Sequence, residues 1–236
     1  MKIIVKTIKI VFCLILLAVI IMAGVLTAQG YGMYRDAVGD TSIADKVQQI
    51  KAQANYTGID ELPGIYIDAV VSVEDHRFYE HPGIDVIAIG RAVINDIRAG
   101  AYVEGGSTIT QQLAKNMYFT QEKLLVRKVA EVFMAFDIEK NYGKDEILEL
   151  YVNSIYYGAG YYTVHAAAMG YFGKEPSRLT DAECTLLAGI PNAPSVYDLT
   201  QNPELALERR DAVLASMVRH GCLTDDEARD IAAPSF

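Results

Sequence analysis

Glu74 and Asp75 stand side by side where the apolar stretch "IDAVVSVEDH" runs out. If that stretch is a helix, the two carboxylates lie at its C-terminal end, where the helix's partial negative charge works against them. Stability alone would place Lys or Arg there. Burial beside a helix end raises a carboxyl pKa toward the range that a general acid or base uses near neutral pH. An ordinary surface turn is the competing reading of the same residues, and the rest of the chain has to decide between them.

A second polar concentration is "GGSTITQQLAKN" at 105–116. Gly106 frees the backbone and Ser107 is a fair helix N-cap, which accounts for the start of the run. Thr108, Thr110, Gln111 and Gln112 remain. Uncharged hydroxyls and amides packed this densely suit a sugar or phosphate ligand, with Lys115 as a point charge on the same helix. No Gly-Lys-Ser/Thr follows the glycines, so the run is not a Walker loop.

The third concentration lies in "LLVRKVAEVFMAFDIEK" at 124–140. Leu125, Val129, Val132, Phe133 and Phe136 share one face and are expected to be the core stripe. Leu124, Arg127, Glu131, Met134 and Ile138 share the other, so a charged pair sits inside a second apolar surface, with Lys128 beside it. A solvated i, i+4 ion pair is the alternative there. The segment 144–174 reads as structural, with Ile147, Leu148, Tyr151 and Ile155 as a core stripe. Asn153 and Tyr157 are candidates to line a cleft, and Asn153 equally to cap a helix. His76 and His81 are five apart, and no zinc-ligand pattern surrounds them.

Apolar residues recur at helical spacing over 43–54, 66–75, 84–98, 122–140, 144–155, 163–172, 180–190, 203–219 and 224–232, while alternating strand patterns are scarce. The expected architecture is mostly α. With 236 residues, 51% of them apolar, the chain suits one sizeable domain plus an accessory segment. That segment follows Lys2, Lys6 and Lys9. No charged residue occurs from Ile10 to Tyr34, and the apolar run to Ala28 is long enough for a helix to cross a hydrocarbon layer of ~30 Å. A cleaved signal peptide is the alternative, but the run exceeds an h-region of about 7–15 residues. The preceding lysines orient the N-terminus inward.

The chain has 21 basic and 30 acidic residues, a net charge of −9. Without the three N-terminal lysines the balance is 18 against 30, or −12. Non-specific nucleic-acid binding is excluded on that balance, and an anionic ligand needs a local cationic cluster. Cys184 and Cys222 could form a disulfide outside the membrane or remain two buried thiols.

Taken together, "EDHRFYEHPG", "GGSTITQQLAKN", "RKVAE", "KDEILELYVN" and "LLAGIPNAPSVYD" resemble the ordered motifs of the peptidoglycan glycosyltransferases, glycosyltransferase family 51. The resemblance covers residues ~65–200. It implies a general base at Glu74 supported by Asp75, and a second essential carboxylate at Glu131. Substrate-binding positions fall on Phe78, His81, Ser107, Thr108, Gln111, Gln112, Lys115, Asn116, Arg127 and Lys128. It also implies a lysozyme-like helical lobe joined to a smaller membrane-associated lobe, residues ~84–105 with Val86, Ile87, Ile89, Val93 and Ile94.

The implied division is a cytoplasmic N-terminus at 1–9, a transmembrane helix at 10–28, a juxtamembrane segment at 29–60 and the glycosyltransferase domain at 61–236. The expected reaction on the outer face of a bacterial cytoplasmic membrane is polymerisation of lipid II, with the membrane lipid, the growing glycan strand and cell-wall synthesis proteins as partners. No metal ligand set is expected in the protein. A divalent cation, Mg²⁺ or Mn²⁺, is the one cofactor the diphosphate chemistry leaves room for. No transpeptidase motif set follows, so a monofunctional enzyme is expected. A membrane-anchored muramidase and an inactive glycan-binding module are the alternatives.

Overall fold

The computed structural model describes residues 2–100, 105–119 and 125–233. Among them there are helices and irregular connections but no strand. Helix α1 runs from Lys2 to Asp40, and α2 from Ile43 to Lys51. The central helix α3, Gly64–Glu74, is apolar on nearly every side and is buried accordingly, packed on α9 (Asp181–Gly189) and α10 (Pro203–Arg219). Helix α4 is Val86–Ala99 and α5 is Ile109–Tyr118, the latter wedged between α6 (Leu125–Asn141) and α7 (Lys144–Val152). Helix α8 is Val164–Phe172 and α11 is Asp225–Ala232.

Each expected helical stretch is present, with ends shifted by a few residues. Side-chain caps set several of the starts: Ser42, Asp85, Thr108, Thr163, Thr180 and Thr224 each accept a backbone N–H in the first turn of the helix that follows. Ser107 is therefore not the cap of α5. Thr108 takes that place, in a capping box closed by Gln111.

The core is rich in tyrosine, and its hydroxyls satisfy one another. Tyr66 and Tyr157 are fully buried with their hydroxyl oxygens 2.7 Å apart. Tyr157 is thus a core residue. Asn153 is also buried, follows α7 as its C-cap and clasps both the N–H and the C=O of Thr57, so it caps and ties the chain rather than lining a cleft.

Three points go beyond or against the sequence expectations. The first helix is longer than its apolar run to residue 28. Helix α1 continues unbroken to Asp40, a length of about 58 Å, and its C-terminal third lies on α6. Tyr34 donates to Asp137 at 2.7 Å, and the rings of Tyr31 and Tyr34 surround Phe133. The assignment of faces on α6 is also reversed. Leu125 and Phe136 are exposed and Phe133 meets α1, whereas Glu131, Met134 and Ile138 are buried toward the domain core. The periodicity was sound, but two apolar stripes competed for the core, and α1 covered part of the more hydrophobic one. Leu124 lies outside the described residues.

The third correction concerns the thiols. Cys184 is buried, but Cys222 is exposed, and the two are unbonded. Burial pushes the Cys184 thiol up to about 12. An aqueous thiol reagent should accordingly label Cys222 in the folded protein and Cys184 only after unfolding, as mass spectrometry of tryptic peptides would show. Labelling of both at equal rates would contradict this packing.

Helix α4 buries only Ala92 among its residues, leaving Val86, Ile87, Val93, Ile94 and Ile97 exposed on one helix. An apolar face of this extent on an exposed helix marks an interaction surface. Helix α1 is the one helix among the described residues that is long and apolar enough to cross a membrane.

Candidate active site

Helix α3 ends at Glu74 because Asp75 leaves helical geometry, with φ −163° and ψ 75°. Two partners hold Asp75 there. The Nε2 of His81 lies 3.0 Å from both carboxylate oxygens, and the Ile109 N–H at the start of α5 donates to Oδ2 at 3.1 Å. The Nδ1 of His81 accepts the Gly83 N–H at 3.2 Å, so Nε2 carries the proton given to Asp75. Asp75 is thereby a buried clamp between the end of α3 and the start of α5. Gly83 completes the bend at φ 98°, where an added Cβ would lie 3.1 Å from Glu139 Cγ and 3.2 Å from the Ala135 carbonyl oxygen.

Glu74 stands next to this clamp with one oxygen satisfied. Gln112 Nε2 donates to its Oε2 at 2.8 Å, while its Oε1 is buried with no hydrogen-bond partner. Burial raises the Glu74 pKa above the usual carboxylate range. The Gln112 bond and the charges of Arg209 and Lys115 pull it partly back, and Asp75 adds to the rise. Tyr151, buried on α7, donates to Gln112 Oε1 and so turns the amide toward Glu74.

The remaining sequence-predicted residues separate into supports and cleft residues. Phe78 is fully buried beneath Lys144, whose Nζ sits 4.4 Å from the ring centroid and donates to the His81 carbonyl and to Glu139. Thr108 is buried, donating to the Gly83 carbonyl and capping α5. Gln111 Oε1 accepts the Thr108 N–H. Phe78, His81 and Gln111 therefore build the frame, while Thr108 both supports it and borders the cleft beside Ser107. Asn116 is exposed on α5 and is not among the residues that line the cleft.

Glu131 is 0% exposed and gives one oxygen to each of two cations: Oε1 accepts from Arg127 Nε at 2.9 Å and Oε2 from Lys128 Nζ at 2.7 Å. The solvated ion pair is excluded by that burial. Lys128 Nζ also donates to Ser107 Oγ at 2.7 Å, linking the group to the glycine-rich turn. Lys115 is close enough to complete the group. Its pKa is lowered by burial, with Glu131 opposing that change and Lys128 and Arg127 reinforcing it. Three cations around one carboxylate form the local cationic cluster that the acidic chain needed.

A cleft of about 620 Å³ opens along Glu74 and Ser107. Its other wall was missed by sequence reasoning: Arg91 from α4, with Arg209, Arg219 and His220 from the far end of the chain on α10. His220 stacks on His76 at a centroid distance of 4.2 Å. Nothing in "LERRDAVLASMVRHG" separates these residues from an ordinary charged helix face, because only the packing of α10 on α3 turns Arg209 toward Glu74. No group of three or more His, Cys, Asp or Glu side chains able to hold a metal occurs among the described residues. Both Glu131 oxygens accept from side-chain cations.

Comparison with known proteins matches this sequence to one family. Penicillin-binding protein 1F of Bacillus subtilis (strain 168) is 49% identical over 170 residues, which cover 72% of this chain and 24% of that protein. Penicillin-binding protein 1A of Aquifex aeolicus (strain VF5) is 48% identical over 172 residues, 73% of this chain and 24% of the relative. A crystal structure of penicillin-binding protein 1A from Haemophilus influenzae aligns with 77% of this chain and 17% of its own at 23% identity and a TM-score of 0.46. The chain thus spans about a quarter of the length of the curated relatives it matches. A family model described as Transglycosylase matches residues 41–218, the segment that contains Glu74, the α5 start, Glu131 and, on the opposite wall of the cleft, Arg91 and Arg209, and the chain belongs to that family.

Proposed function

We propose that this protein is a membrane-anchored peptidoglycan glycosyltransferase that joins lipid-linked disaccharide units, lipid II, into glycan strands. The observation that carries the reading is a carboxylate with one buried oxygen, Glu74, in a cleft walled by Arg91 and Arg209, with Lys115 acting on its charge and Lys128 bonded to Ser107 at the cleft's edge. Each of the two reacting molecules carries a diphosphate, so a site that joins them has to hold anions on both sides of the reacting atoms.

Glu74 takes the proton from the acceptor's GlcNAc 4-hydroxyl as that oxygen attacks C1 of the donor's MurNAc. The new C–O bond forms on the face opposite the departing diphosphate, which gives inversion. Gln112 fixes one Glu74 oxygen and leaves Oε1 without a protein partner, the state a proton acceptor requires. Undecaprenyl diphosphate departs with the bonding electron pair. Arg127, Lys128 and Lys115 offset its growing charge, and Glu131 keeps the first two pointed in one direction. Arg91 and Arg209 supply cations to the opposite wall. Asp75 and His81 act through position, by holding α3 and α5 together.

In this reading the N-terminal lysines stay on the cytoplasmic side, α1 spans the bilayer and the exposed apolar face of α4 rests in the outer leaflet. Incubation of the purified protein with lipid II, with glycan polymer followed against released fragments, tests the reaction. Cleavage of preformed glycan without polymer would convert the assignment to a lytic enzyme.

Removing residues 1–28 should preserve folding and some activity in detergent, because Gly30 to Asp40 still dock on α6. In liposomes the truncated protein should lose about tenfold or more relative to the full chain, the anchor having supplied local concentration. Equal turnover of the two forms in liposomes would refute this.

A further inference from the structure

Gly30 is the one buried residue of α1 among those described, on a helix that otherwise presents its side chains outward or packs them loosely. The reason lies in α6. A Cβ added at Gly30 would come within 2.5 Å of Val129 Cγ1, 2.6 Å of Val129 Cβ and 3.0 Å of the Val126 carbonyl oxygen. A methyl group is therefore too large for this crossing, and the helix backbones approach as closely as side chains allow.

Val129 follows Lys128 directly and precedes Glu131 by two residues. On a helix, positions 126, 129 and 133 share a face, and they lie against Gly30, Tyr31 and Tyr34. Positions 127, 128 and 131 turn away from that face, toward α5 and the Ser107 turn. Helix α6 is thus held from behind by the anchor helix while it presents its cations in front. Tyr34 to Asp137 pins the same two helices about two turns farther along, so rotation and sliding of α6 on α1 are both restrained.

We propose that Gly30 is a positioning residue: the close crossing it permits sets the depth and rotation at which α6 presents Arg127, Lys128 and Glu131. This rests on the glycosyltransferase reading for its effect on turnover, and on the packing alone for its effect on α6. The anchor then does more than retain the enzyme at the bilayer. Its docked end is a structural wall of the cationic group, and a change of fit there reaches the site through one helix diameter.

Two internal comparisons make the test specific. Gly32 lies two residues on in the same helix with nothing within 4 Å of an added Cβ, so Gly32→Ala makes the same chemical change without the clash. The double variant Gly30→Ala/Val129→Gly removes the side chain that the added methyl group would strike, leaving only the Val126 carbonyl oxygen at 3.0 Å. The full-length chain in detergent is measured for backbone hydrogen exchange across α6 and for lipid II turnover. Gly30→Ala should speed exchange in the first turns of α6 and lower turnover about tenfold, Gly32→Ala should alter neither, and the double variant should regain turnover relative to Gly30→Ala. Faster α6 exchange with unchanged turnover, or equal behaviour of the Gly30→Ala and Gly32→Ala variants, would overturn the proposal. A wild-type protein without turnover would sink the glycosyltransferase reading, and the exchange comparison would then decide the packing claim by itself.

Discussion

Glu74→Gln is expected to lower lipid II polymerisation by about 10²–10⁴-fold and, at pH 7, to raise the melting temperature. The loss follows from removing the proton acceptor while keeping its shape and its neighbour Gln112. The gain follows from the same burial that suits Glu74 to its task. Its Oε1 has no partner, and ionising it in the folded protein is disfavoured. An amide removes that cost, about 1 kcal/mol or more, which corresponds to about 2–4 °C for a domain of this size.

The pH dependence supplies the sign. A carboxyl whose folded pKa lies above its unfolded value destabilises the fold progressively as pH rises from the unfolded toward the folded pKa, and by a constant amount above it. The stability advantage of Glu74→Gln should therefore be absent below about pH 4, grow as pH rises and level off above the raised folded pKa. Wild-type turnover should rise with pH through the same raised pKa, because the base must be ionised to accept a proton. Thermal unfolding of both proteins from pH 3 to pH 8, alongside turnover, checks each part. A folded Glu74→Gln protein with near-normal turnover would remove Glu74 from the role of base.

Glu131 is expected to behave in the opposite way, its substitution costing both function and stability. Glu131→Gln removes the charge that the Arg127 side chain, only 15% exposed, pairs with on this helix, and the cost of breaking such a buried pair is about 3 kcal/mol. Lys128 is 45% exposed and can turn to solvent, so it contributes less of that cost. Turnover should fall by about 10²-fold, because misdirected cations no longer meet the leaving diphosphate. Arg127→Ala should depress turnover to a similar degree. The double variant should lose less stability than the two single losses combined, by about 1 kcal/mol, since the removal of either partner already breaks the pair. Circular dichroism melts and lipid II turnover on the three variants decide the matter. Full additivity in stability, with wild-type turnover in either single variant, would return the pair to a purely structural role.

The helices were legible because each carries its own local instructions. Hydrophobic period, hydroxyl or carboxylate caps and glycine or proline stops act within a few residues, and α7 through α11 needed little else. The apolar length of the first segment was legible for the same reason. Glu74 was recognisable as a carboxylate at a helix end, and Glu131 as a charge within an apolar face, since both contrasts lie in adjacent turns.

Tertiary structure decided everything that depends on which surface meets which. It brought Arg209 from α10 beside Glu74, across more than half the chain, with no local signal to announce it. It assigned Gln111, His81 and Phe78 to the frame rather than the cleft and gave Thr108 a place in both, because a hydroxyl, amide or ring that suits a ligand equally suits a cap or a buried contact. It also chose between the two apolar faces of α6. One-dimensional periodicity identifies a stripe but not its partner, and the docking of α1 through Gly30 gave the more hydrophobic stripe a cover, leaving Glu131 to face inward.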